Sequence, residues 1–169
     1  MQMTLAEIKA TVDQLAERIG ASGYALPTYG HSDDGARPHI EVDSRCYYYV
    51  IVERGQELER ITTHDVDELL YHVFGNITFS LACKFELAHR RKNRDCRRLI
   101  FKHQVELLST LSPQWGERKT QEQEQILQQH PYDDEVHTRV NLTREYRDQG
   151  YSAEVAWQMA CEQHPLPGT

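Results

Sequence analysis

Apolar residues near the start of the chain recur at helical spacing. Leu5, Ile8, Val12, Leu15 and Ile19 share one stripe, while Glu7, Lys9, Asp13, Glu17 and Arg18 fall largely outside it. Thr4 stands before the stripe as a capping residue, and Gly20 and Gly23 follow it, so a helix is predicted from Thr4 to about Ile19. The next segment, ALPTYGHSDDGARP, reads as loop, because it holds two prolines, two glycines and two adjacent aspartates. The period then shortens. HIEVDSRCYYYVIVERGQELERITT predicts an antiparallel meander of about three strands over residues 39–63, dense in β-branched and aromatic residues from Tyr47 to Val52. Gly55 marks its tight turn.

After Thr63 the period is helical to the end. Asp65, Asp67 and Glu68 open a helix, as its dipole favours. Gly75-Asn76 predicts a break, followed by a second helix from Ile77 to about Lys92 with Leu81, Phe85 and Ala88 turned inward. A third spans Asp95 to about Leu111, with Leu99, Val105 and Leu108 inward. Pro113 starts a fourth at its first helical position, running to His130 with Trp115, Ile126 and Leu127 as anchors in a polar sequence. Shorter helices follow at Val136–Gln149 and Ala153–Gln163, the latter burying Val155, Ala156, Met159 and Ala160. The fold class is therefore α+β: a small antiparallel sheet packed against a mostly helical remainder. One α+β domain is expected over residues 1–135, with a C-terminal helical pair, 136–169, packed on it.

Composition narrows the function classes. Hydrophobic residues make up 39% and charged residues 27% of 169, which suits a soluble domain with a real core and predicts a cytoplasmic protein without a signal peptide or membrane span. Cys46, Cys83, Cys96 and Cys161 form no CxxC pair, so free thiols are expected, with no metal and no cofactor. The net charge of −7 is unevenly spread: residues 84–102 hold eight bases and two acids, +6, leaving −13 elsewhere. That balance disfavours a general nucleic-acid binder.

Each candidate for chemistry has a plainer reading beside it. His64, Asp65, Asp67 and Glu68 crowd a helix start, and a hydrolase or transferase site between the sheet and this helix is one alternative. Dipole-matched capping explains the same residues. Glu86 and His89 have the spacing of a di-metal element but lack a second copy. Arg90, Arg91, Lys92, Arg94, Arg97 and Arg98 could grip phosphate in a nucleic-acid-binding regulatory module. On a helix they spread around the circumference, the run holds no aromatic residue to stack on bases, and local pairing of Glu86 with Arg90 and Arg91 with Asp95 is expected. Charges alternate along Glu53-Arg54-Gly55-Gln56-Glu57-Leu58-Glu59-Arg60, as hairpin register or as a surface turned to a partner.

One ordered set of motifs resembles a known family. Tyr47-Tyr-Tyr-Val-Ile-Val-Glu-Arg-Gly-Gln-Glu, Arg60-Ile-Thr-Thr, Asp65-Val-Asp-Glu-Leu-Leu-Tyr, Thr78-Phe, Phe85-Glu-Leu-Ala-His-Arg, Asp95-Cys-Arg-Arg-Leu-Ile-Phe, Gln104-Val-Glu-Leu-Leu, Trp115 and His130-Pro-Tyr-Asp-Asp together resemble the immunity protein 63 family of bacterial polymorphic toxin systems over about residues 40–135. The resemblance implies a protein that binds and neutralises a cognate toxin domain by stoichiometric association, without turnover. A basic nuclease is one candidate class of toxin, since an acidic inhibitor is steered into a cationic cleft. No direct nucleic-acid contact and no membrane contact are expected. Tyr48, Glu53, Arg54, Arg60, Asp67, Arg97 and Arg98 are expected as an internal polar network between sheet and helices. Asp33, Asp34, Glu57, Glu59, Asp133, Asp134 and Glu135 are the expected partner contacts, since loops carry function.

Overall fold

A computed structural model describes residues 2–168; Met1 and Thr169, the outer ends of the two predicted units, lie outside the described residues. Helix α1 (Leu5–Arg18) leads through a 3-10 turn at Gly23–Ala25 into β1 (Thr28–Tyr29), β2 (His39–Val42), β3 (Tyr47–Glu53) and β4 (Gln56–Thr63). Helices α2 (Val66–Ala88), α3 (Arg97–Leu111), α4 (Pro113–Gln129), α5 (Val136–Asp148) and α6 (Ala153–Gln163) follow. The class is α+β, with a four-stranded mixed sheet in the order β1-β2-β3-β4. The meander β2-β3-β4 is antiparallel as expected; the added strand β1 is only two residues long and pairs parallel with β2. So short a strand, inside a stretch rich in proline and glycine, leaves no alternation to read.

Local chemistry sets the element ends. Thr4 and Glu7 form a reciprocal capping box on α1, and the Asp65 carboxylate caps α2 by accepting from Asp67 N. Arg54 and Gly55 both have positive φ, +50° and +73°, as a two-residue hairpin turn between right-twisted strands requires. Opposite that turn, the register slips between Ile51 and Val52, so Leu58 bulges from β4 and is 57% exposed.

The expected break at Gly75-Asn76 is absent, and α2 runs uninterrupted for 23 residues. A mid-helix glycine costs about 1 kcal/mol, against roughly 1.5–3 kcal/mol for each large apolar side chain buried. Val73, Phe74 and Ile77 beside it are 1% exposed or less, and Gln104 Nε2 donates to the Gly75 carbonyl at 3.1 Å. Helix α2 instead ends early, at Ala88, and residues 89–96 turn the chain, with Asn93 at φ +57°.

The core lies around α2. Ile8, Val12 and Ala16 of α1, Ile40, Tyr47 and Tyr49 of the sheet, Leu108 of α3 and Trp115 of α4 close on its apolar stripe. Trp115 stacks on Phe74 with ring centroids 5.9 Å apart and donates Nε1–H to Asp67 at 3.1 Å. Where α3 crosses α4, a Cβ on Gly116 would sit 2.9 Å from Ser109 Cβ and 3.1 Å from its Cα, so only glycine lets the helices approach this closely. No helix among the described residues is long and apolar enough to cross a membrane.

Candidate partner-binding surface

The sheet and the helices α2–α4 enclose a groove of about 380 Å³. Tyr49, Ile51 and Ile61 of β3 and β4 form one wall, and Tyr71 and Phe79 of α2 with Phe101 of α3 and Ile126 of α4 form the other. Its rim is tied by charge. Arg118 on α4 holds Glu68 on α2 at 2.5 and 3.0 Å, and lies 3.9 Å from the Tyr71 ring centroid. The guanidinium hydrogen bonds, with His72 adding to them, pull the Glu68 carboxyl down to about 2. Tyr71 donates to Glu122 at 2.8 Å, and burial followed by that hydrogen bond pushes its phenol upward.

Phe79 and Ile126 are 46% and 45% exposed at the groove mouth. Ile126 was expected to anchor α4; the helix instead turns Gln123 inward, whose Nε2 donates to Gln104 Oε1 at 3.1 Å, and leaves Ile126 outside. Glu59 faces the same groove and makes no ion pair among the described residues. Strand β4 closes the sheet on this side and pairs with β3 alone among the described residues.

The residues expected to form one polar network lie in separate places. Arg60 binds Glu57 at 2.8 and 2.9 Å and Glu41 at 3.1 Å and lies over the Tyr48 ring, on the sheet face opposite the groove. Tyr48 donates to Asp43 at 2.6 Å, which holds that carboxyl at about 2 and the phenol at about 12. Arg54 is at the hairpin tip, fully outward, with only Glu53 at 4.0 Å. Asp67 serves Trp115.

Arg97 and Arg98 belong to a clasp between the α2–α3 turn and the linker after α4. Asp95 accepts from Asp133 N, while Asp134 accepts from Asp95 N at 2.8 Å and binds Arg98 at 2.8 and 2.9 Å. Arg97 binds Asp95 and donates to the carbonyls of His130 and Pro131, and Arg98 lies 4.2 Å from the Tyr132 ring centroid. Asp95 thus pairs with Arg97 and leaves Arg91 without an ion pair among the described residues, against expectation, because the chain turns before Arg91 can continue the helix.

The expected contact acids are mostly engaged. Asp133 binds Arg139, Glu135 binds His164, Asp134 binds Arg98 and Glu57 binds Arg60. Asp33 reaches Arg37 at 3.8 Å, and Asp34 accepts from Gly55 N at 2.6 Å. His64 and Asp67 diverge: His64 Nδ1 lies 2.9 Å from the Arg45 carbonyl and 3.6 Å from Cys46 Sγ, while Asp67 turns inward to Trp115. Glu86 is bound by Arg90 at 2.9 and 3.0 Å, the pairing expected. What sequence reading missed is the groove aromatics, since Phe79 breaks no helical period and only the tertiary position of α4 leaves it uncovered.

Residues 43–125 match the family model described as Immunity protein 63. No curated protein and no solved structure matches the chain. The matched span holds β3, β4, α2, α3 and most of α4, which frame both the groove and the α2–α3 turn.

Proposed function

We propose, from the match of residues 43–125 to the immunity protein 63 family model, that the protein binds and neutralises a cognate bacterial toxin domain by stoichiometric association. The family match is the observation that carries this reading. The groove mouth with Phe79, Ile126 and Glu59, continued by the free edge of β4, is the contact surface we assign to it. Burying two half-exposed apolar side chains against a partner, with a charged rim already satisfied at home, is the arrangement of an energetic centre within a polar surround. Inhibition follows from occupying the toxin, so the protein itself makes and breaks no bond. It would act in the bacterial cytoplasm, before the toxin reaches its own cell's targets.

Co-expression with the toxin domain encoded beside it should yield a 1:1 complex with a Kd well below micromolar, by calorimetry and mass measurement. Phe79→Asp with Glu59→Lys should raise that Kd by at least tenfold while leaving the unfolding midpoint nearly unchanged. A wild-type protein that binds no neighbouring gene product would overturn the reading.

A further inference from the structure

A cleft of about 780 Å³ lies at the α2–α3 turn, outside the groove. Five cations line it, Arg90, Arg91, Arg94, Arg98 and Lys102, against three carboxylates, Glu86, Asp95 and Glu106. Arg90 and Arg98 are committed to Glu86 and Asp134, and Lys102 stands 3.9 Å from Glu106. Arg91 and Arg94 are exposed and make no ion pair among the described residues. Two planar guanidiniums are thus left open in a cleft whose lining carries an excess of two positive charges. The remaining lining is apolar and aromatic. Phe85 stacks between His89 and His103, with centroids 4.1 and 4.0 Å apart, and Leu99 lies beside them.

We propose that this cleft receives a short acidic segment of polypeptide, two neighbouring carboxylates beside an apolar side chain, presented by the toxin domain. The inference rests on the toxin-binding reading above. A guanidinium fork matches a carboxylate through two parallel hydrogen bonds. The ring stack and Leu99 take the apolar neighbour. A nucleic-acid strand would fit the same cations, but it extends past the cleft along a chain that carries −13 outside residues 84–102, a balance that disfavours a polyphosphate. The charge excess is local, and so is the ligand it suits. The turn is positioned by Asp95, which binds Arg97, and by Asp134, which binds Arg98 and the Asp95 amide, so the backbone that carries Arg91 and Arg94 is held in place.

The test uses the full chain and two probes. An acetylated peptide of sequence EELDE, titrated at low salt, should shift the amide resonances of residues 85–103 saturably. It should fail to do so in the Arg91→Glu/Arg94→Glu variant, whose circular dichroism melt should stay close to that of wild type, because both side chains are exposed and the one interaction lost is the through-space attraction of Arg94 for Asp134. A single-stranded oligonucleotide that shifts the same resonances at lower concentration than the peptide would overturn the polypeptide assignment. So would a peptide that leaves them in place. With the cognate toxin domain, the double variant should lose at least tenfold in affinity. Equal binding by variant and wild type removes the cleft from the interface while the immunity reading stands. If wild type binds no toxin, that reading falls, and with it the claim that the toxin supplies the acidic segment.

Discussion

Helices α2 and α5 are both amphipathic by pattern, yet α2 buries Leu69, Leu70, Val73, Phe74 and Ile77 among its neighbours, whereas the one buried residue of α5 is Arg139. In α5, Val136 and Val140 remain 37% and 44% exposed. Its partner α6 buries only Ala156 and Ala160, and Val155, expected inside, is 43% exposed with Trp157 at 39%. The C-terminal pair thus packs on itself through small residues. Arg139 pins it to the body side of the chain, binding Asp133 and donating Nη1 to the carbonyls of His164 and Pro165 at 3.1 and 3.2 Å. Apolar burial is cumulative and tolerant of direction. A buried guanidinium is neither, because its worth depends on the acceptors in place, and here they serve both Nη atoms while Nε is left without one among the described residues.

The contrast can be broken from either end. Phe74→Ala should have the largest effect, lowering global stability by about 3–5 kcal/mol in a denaturant melt, since the cavity it leaves lies under Trp115 and cannot collapse. Arg139→Met should cost about 2–4 kcal/mol of local stability, because Asp133 and two carbonyls lose their donor. Hydrogen exchange should show this as faster opening confined to α5 and α6, with α2 amides unchanged; uniform acceleration would mean that the pair and the body form one cooperative unit. Gly116→Ala should cost about 1–3 kcal/mol by forcing α3 and α4 apart, and the loss should appear in the body alone.

Acid should act more gently and in a definite window. Asp134 is held at about 2 by Arg98, and Glu68 at about 2 by Arg118, against ordinary values of 3.8 and 4.5. For Asp95, burial works upward, but hydrogen bonds from Arg97 and from the Asp133 and Arg97 amides outweigh it and the net shift is down. Each group is lowered in the folded state, so its contribution is present above the ordinary value and fades as pH falls from about 4.5 toward 2. The Asp134 and Glu68 carboxylates are about one-third exposed, which keeps their effect small. Hydrogen exchange at pH 5 and pH 2.5, corrected for the intrinsic rate at each pH, should show lower protection of the clasp residues at the lower pH while the core of α2 stays protected.

The fold was largely legible because its elements carry clean periods: the stripe of α1, the β-rich run at Tyr47 to Val52 and Pro113 at the start of α4 all fall where the pattern puts them. Two kinds of element were not. Gly75 signals a break in isolation, and only the burial of Val73, Phe74 and Ile77 against the sheet and α3 carries the helix through it. Ile126 and Val155 look like anchors by type, but which face of a polar helix turns inward is decided by its neighbours, here the Gln123–Gln104 amide pair for α4. Surface chemistry was the least legible. Acids count the same in a sequence whether free or paired, and Asp133, Asp134 and Glu135 are spent on Arg139, Arg98 and His164, partners up to 36 residues away.

The two tryptophans divide between the regions just contrasted: Trp115, 5% exposed against Phe74, and Trp157, 39% exposed on α6. Intrinsic fluorescence therefore carries a blue, shielded emitter for the body and a redder, quencher-accessible one for the tail. Iodide quenching, or replacement of either indole by phenylalanine, separates the two signals, so the chain comes with its own pair of reporters for watching one region loosen while the other holds.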